Sequence, residues 1–321
     1  MKAQDIFIGT DNRLRSGWRF GVFTFAFTFA SFFFGSIALM IVSTISTAGA
    51  PQSALYFIVS SAISLTLAII IGWLCGKYFE QLPFRALGAW FTGGWFIHFI
   101  LGIFIGALTL GVALGIASGF GNLDFSLNNA NATAIANTLI TSFILFAVAA
   151  LFEESLFRGY ILQTFARSGL AWFAILLTAV FFGVVHLGNP NAGYLSSLNT
   201  ALAGIWFGVA YLKTRDVWFV WGMHLMWNWV QGAIFGVEVS GLTDIVHSPL
   251  LKEIDGGPAW LTGENYGIEA SIACTIALVI STVGIHFLPF LKPDPEMHAL
   301  TSKSVPRAIA TGDSFAEART K

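Results

Sequence analysis

Charge is the scarcest property of this chain. Only 10% of its 321 residues are Asp, Glu, Lys or Arg, against roughly 25% in an ordinary soluble domain. That shortage, beside 56% hydrophobic residues, excludes a water-exposed globular surface and marks a polytopic integral membrane protein. The formal net charge of −1 gives no field to hold nucleic acid or another polyanion. Cysteine is as sparse. Cys75 and Cys274 lie in apolar helical stretches, where an unpaired thiol is a small buried hydrophobe, so neither a disulfide framework nor a cysteine metal site is expected. No repeat or low-complexity tract interrupts the chain.

What is present is a series of apolar runs. A hydrocarbon core of about 30 Å takes about 20 mostly apolar residues per helix, and eight segments approach that length: 20–45, 54–76, 94–118, 135–157, 170–187, 197–212, 217–237 and 268–287. The expected fold class is all-α, a transmembrane bundle of about eight membrane helices. Four regions follow: N-terminal transmembrane helices over 1–134, a helical core over 135–236, an acidic loop and last transmembrane helix over 237–288, and a cytoplasmic tail over 289–321, with Pro293, Pro295 and scattered charge, expected to be disordered. Arg13, Arg15 and Arg19 before the first run, and Ala48-Gly49-Ala50 after it, imitate a signal peptide. The run exceeds the ~7 to 15 residues of a signal core, so it reads as a retained helix.

Lys and Arg in short loops set orientation. Arg13/Arg15/Arg19, Lys77/Arg85, Arg158/Arg167, Lys213/Arg215 and Lys292/Lys303/Arg307 fall on alternate loops, and the loops near Pro51, Asp124 and Asn189 carry none. Both termini are expected in the cytoplasm of a multi-pass protein in a bacterial-type plasma membrane. The loop over 238–264 contains Lys252 but is acidic overall, and Gly256-Gly257-Pro258 marks turns in it and not a separate domain.

Against that apolar background a few polar residues stand out: Glu153-Glu154 with Arg158, then His186, then His224 with Asn228. An ionisable group in hydrocarbon costs at least a few kcal/mol, so these side chains need partners or water. Glu153 and His186 are equally far from a midpoint near Gly169, and Arg167-Ser168-Gly169 reads as a tight turn. At 1.5 Å per residue the two then sit at one depth of a helical hairpin. His224 and Asn228 are four apart and share a helix face, and Glu154 and Arg158, also four apart, favour an ion pair. Neighbouring Glu153 and Glu154 are about 100° apart around a helix. One belongs in a cavity while the other anchors Arg158, and spacing alone does not choose between them.

Glu153-Glu154-Ser155-Leu156-Phe157-Arg158 fits EExxxR, Phe182-Gly183-Val184-Val185-His186 fits FxxxH, and His224-Leu225-Met226-Trp227-Asn228 fits HxxxN. In that order on successive apolar helices, over roughly 135–236, they resemble the CPBP family, which includes type II CAAX prenyl endopeptidases and bacteriocin-processing or self-immunity (Abi-like) proteins. The resemblance implies an intramembrane endopeptidase that cuts a membrane-associated or lipidated peptide or protein substrate within the lipid bilayer. It implies Glu153 as general base, His186 sharing the water, and His224 with Asn228 donating to the oxyanion, with Glu154 counted among the catalytic set as well as in the ion pair with Arg158. Proteins of this kind are also called metalloproteases. Glu153, His186 and His224 with a water would make an open zinc site, although no HExxH helix is present and Asn228 suits an oxyanion better. A divalent metal therefore stays an open alternative.

Blander readings stand beside these. The polar residues can be a network that specifies helix packing, or serve a non-catalytic immunity or scaffold protein or a small transporter. Transporters often show internal pseudo-symmetry, and here the polar residues are confined to the second half. His98 reads as a packed or interfacial histidine, Phe182 as a packing residue, and Trp218, Trp221, Trp227 and Trp229 in part as an aromatic belt. Asn199 is a candidate cavity residue. The chain closes on Glu317-Ala318-Arg319-Thr320-Lys321, so it is not expected to be a prenylation target itself.

Overall fold

The computed structural model describes residues 4–9, 12–45, 54–243 and 245–302. Ala48-Gly49-Ala50, Pro51, Lys303, Arg307 and the chain beyond lie outside them.

Runs of apolar residues without helix breakers give long helices: α1 Ser16–Ile45, α2 Ala54–Cys75, α3 Trp95–Gly121 and α4 Ala132–Glu154. α4 widens into a π-helical turn, Ser155–Ile161, and continues as α5 Leu162–Arg167. There follow α6 Ala171–Val185, α7 Tyr194–Thr214, α8 Val217–Trp229 with a second π turn at Val230–Ile234, α9 Ile272–Phe287 and α10 Pro295–Thr301. All eight expected segments are helical, and six helical stretches among the described residues are long and apolar enough to cross a membrane. The two that fall short, α8 and α9, pack against other helices: α8 against α3, α4 and α7, and α9 against α7 and α3. The fourth segment runs to Arg167, ten residues beyond its expected end.

Side-chain caps start the helices that frame the site. Asn131 accepts from the Ala134 N–H, Asp216 from Phe219 and Ser271 from Cys274, each satisfying a donor the helix leaves unpaired. Gly169, at φ 79°, takes the left-handed conformation that turns α5 into α6 at the expected place. Close approach of α3 and α8 depends on small residues: a Cβ at Gly102 or Gly106 would collide with the carbonyl oxygens of Phe219 and Met223, and one at Gly222 with that of Phe99. This small-residue seam seats α8 against α3.

Two departures from the sequence expectation stand out. A two-stranded antiparallel ribbon pairs β1 Leu123–Leu127 with β2 Leu251–Asp255, Phe125 opposite Glu253, so the 237–288 region is more than loop and helix. The tail expected to be disordered contains α10: Asp294 caps it, Pro295 presets its first turn, and Met297 and Leu300 bury against Leu82 and Ala86. Arg85 pairs with Glu296 at 2.8 Å.

Candidate active site

The three motifs converge on one cavity of about 440 Å³, lined by Glu153, His186, His224, Asn228 and Asn199 among others. This is within the range of small-ligand sites. Glu154 and Arg158 do not line it; they sit behind the wall.

Glu154, fully buried, ends α4, and the wider π turn carries Arg158 back beneath it. Arg158 Nη1 lies 3.1 Å from both Glu154 oxygens, and Nη2 donates to the Gly204 carbonyl at 3.0 Å. Phe182 and Phe207 flank the guanidinium, 5.3 and 5.2 Å from its carbon to the ring centres. No part of Arg158 remains accessible. The same Glu154 Oε1 accepts from His224 Nδ1 at 2.9 Å, a contact between α4 and α8 that motif spacing could not reveal. With Glu154 ionised, Nδ1 must carry the proton, because a carboxylate only accepts. His224 also stacks on Phe207 at 4.7 Å, which fixes the ring and leaves Nε2 3.9 Å from Glu153 Oε2.

Glu153 is the cavity carboxylate of the pair. Its side chain is a quarter exposed, and its buried Oε2 has no hydrogen-bond partner among the described residues. His186 lies just past the end of α6, where its Nδ1 donates to the Phe182 carbonyl at 2.7 Å and its other nitrogen makes no hydrogen bond among the described residues. Asn228 lines the cavity one turn beyond His224, and its side chain makes no hydrogen bond among the described residues. Asn199 is a cavity residue too, but its amide is engaged, donating to Glu269 O and Ser271 O at 2.8 Å each and accepting from Thr275.

Among the described residues no three His, Cys, Asp or Glu side chains converge as a metal's ligand set. Glu153, His186 and His224, the residues a metal would take, all line the cavity. His98 is an ion-pair partner of Asp216 at the start of α8. Of the four tryptophans, only Trp227 lines the cavity; Trp221 and Trp229 tie α8 to the α4 carbonyls of Ala147 and Leu139.

One cavity residue escaped motif reasoning. Glu269 stands before α9 and lines the wall, its Oε1 accepting from Trp227 Nε1 at 3.2 Å and Oε2 from Ser240 Oγ at 2.7 Å. The argument that singled out Glu153, a carboxylate in an otherwise apolar segment, applies to it equally. Ser240, Leu242 and Ile245, from the loop after α8, roof the same space. Tyr266 beneath that loop is pushed up to about 12, chiefly by burial and then by the Glu269 charge, so its hydroxyl stays a neutral donor.

Residues 135–230 match the family model of type II CAAX prenyl endopeptidase Rce1-like proteins. This helical core is similar to Rce1-like proteins. Within it fall Glu153, Glu154, Arg158, His186, His224 and Asn228, whereas Ser240 and Glu269 lie outside. Over 96 residues the chain is also 31% identical to YyaK of Bacillus subtilis (strain 168), a protein described as uncharacterized. That match covers 30% of this chain and 29% of YyaK.

Proposed function

We propose that the chain is an intramembrane endopeptidase that hydrolyses a peptide bond in a membrane-associated or lipid-modified substrate. The observation that carries this reading is the pairing of Glu153 with His224: an unpartnered carboxylate oxygen faces an imidazole nitrogen across 3.9 Å at a cavity wall, with Glu154 and Arg158 bracing the ring from behind. An unmet buried acceptor costs about 1–3 kcal/mol, a cost that a water or substrate donor in the cavity would remove.

Glu153 takes a proton from water as the water oxygen adds to the substrate carbonyl. His224, as the imidazolium, donates through Nδ1–H to Glu154 and turns Nε2–H toward the developing oxyanion, and Asn228 adds a second donor. His186 holds the attacking water during that addition; on collapse the C–N bond breaks and the proton held by Glu153 passes to the leaving amine. Phe27, Phe57, Phe146 and Phe152 line the cavity and support an apolar or lipidated substrate. The Rce1-like match supports the peptidase class, a membrane-associated substrate and a multi-pass membrane location, and the Lys and Arg of alternate loops support cytoplasmic termini.

The test is cleavage of prenylated and unmodified peptides by purified protein in lipid, beside Glu153→Gln and with and without chelator. Wild-type cleavage should fall by about 10² to 10⁴ in the variant, with the melting temperature unchanged. A folded wild type that cuts none of the peptides, or a variant as active as wild type, overturns the assignment. Loss of activity with chelator would move the water from Glu153 alone to a bound metal.

A further inference from the structure

The cavity contains a second carboxylate and no strong cation. Glu269 stands on its wall with Glu153, and the lining includes neither lysine nor arginine. The nearest arginine, Arg158, is sealed behind Phe182 and Phe207 and already holds Glu154 and the Gly204 carbonyl. What positive charge the site can offer comes from the two histidines, of which His224 already has Glu154 on Nδ1.

Glu269 is held as a fixed feature and not a loose side chain. Trp227 and Ser240 each donate to one of its oxygens, while its own backbone carbonyl accepts from Asn199. A carboxylate has about four acceptor positions, and these two bonds leave others for a substrate. Trp227 sits between His224 and Asn228 on α8, and Ser240 belongs to the roof. Glu269 therefore bridges the two walls between which a peptide would lie.

From this arrangement we infer that Glu269 is a specificity-determining residue, selecting substrates that bring an amine, an amide or another N–H donor beside the scissile bond and rejecting those that bring a carboxylate. Ionised, Glu269 repels an incoming carboxylate across a low-dielectric cavity. Protonated, it still supplies no cation to replace the water such a group would lose. A backbone N–H, a neutral C-terminal amide or a protonated amine meets an acceptor in either state. The inference rests on the endopeptidase reading and adds to it the chemistry of the flanking group.

The experiment compares lipid-modified peptides of one sequence that differ only in the group nearest the cut: free carboxylate, amide or amine. The full chain in lipid is assayed for kcat/KM, and binding to its Glu153→Gln variant is measured in parallel. Amide and amine peptides should exceed the carboxylate peptide at least tenfold in kcat/KM. Glu269→Gln, which keeps the size and one acceptor, should shrink that gap to a few-fold, and a melting curve establishes that it folds. Equal rates for all three, or a preference for the carboxylate, overturn the inference while leaving the peptidase reading intact. Absence of both cleavage and binding for every peptide overturns both. If Glu269→Gln does not fold, the wild-type order of the three peptides decides the matter alone.

Discussion

The long helix from Ala132 to Arg167 touches two buried charge clusters. At its Arg167 end, Glu80 is all but fully buried. Arg167 Nε reaches its Oε2 at 2.8 Å and Nη2 its Oε1 at 3.0 Å, Thr164 donates at 3.0 Å, and Arg19 pairs at 2.5 Å. Arg19 reaches on to Ser168, so the cluster stitches α1, the end of α2 and the α5–α6 turn together. Fourteen residues earlier, about 20 Å along the helix axis, Glu153 presents an oxygen without a donor to a cavity. Both sites bury carboxylates among cations. In one, both carboxylate oxygens are filled by donors, which is what a staple needs. The other leaves space and an unmet acceptor, which is what a reaction needs.

Breaking the filled cluster should cost the fold and spare the chemistry. Glu80→Ala strands two buried arginines, and removing one partner of such a group costs about 3–5 kcal/mol. Thermal unfolding in lipid should show that loss, while cleavage per folded molecule stays within about twofold of wild type. A stable Glu80→Ala protein with impaired turnover would erase the distinction between the clusters.

Asn228→Ala sharpens it from the other side. Its side chain makes no hydrogen bond among the described residues and lines the cavity, so deletion removes little from the fold. Loss of an oxyanion donor lowers kcat by about 10² to 10³. Unchanged kcat would take Asn228 out of the oxyanion role and leave His224 there by itself.

Gly102→Ala tests how far the open cluster depends on its frame. The new methyl would meet the Phe219 carbonyl, so α3 and α8 must separate, an overpacking cost of about 1–3 kcal/mol. His224 and Asn228 ride on α8, so turnover should fall along with stability. A destabilised variant with full turnover would show that the site tolerates a displaced α8.

Most of the frame was legible in composition and run length, because a continuous apolar stretch has few alternatives to a helix in lipid. The hairpin at Gly169 was legible from the symmetry of Glu153 and His186 about it. The contact of Glu154 with His224 was not, because spacing describes one helix at a time and this bond joins two. Glu269 was visible as a carboxylate in an apolar segment, but no motif led to it. α10 was hidden because Pro293 and Pro295, which read as breakers, here start a helix that Asp294 caps. β1 and β2 are 124 residues apart at their nearest ends, a separation at which local patterning has nothing to say about pairing.

The smallest expected effect lies away from both clusters, on the ribbon. Burial, with Glu238 and Asp255 nearby, raises Glu253 from 4.5 to about 8. Between those values the folded ribbon keeps the proton that the unfolded chain has lost, so the native state binds more protons and stability falls as pH rises. The contribution is complete below about pH 4.5 and gone above about pH 8. Amide exchange across β1 and β2, corrected for its intrinsic base catalysis, should therefore show less protection at pH 9 than at pH 6. Glu253→Gln, which cannot ionise, should hold protection level across that window. If the wild-type ribbon is equally protected at both pH values, its carboxylate is tolerated ionised at the surface, and the contrast between filled and open charge sites stays confined to the helical core.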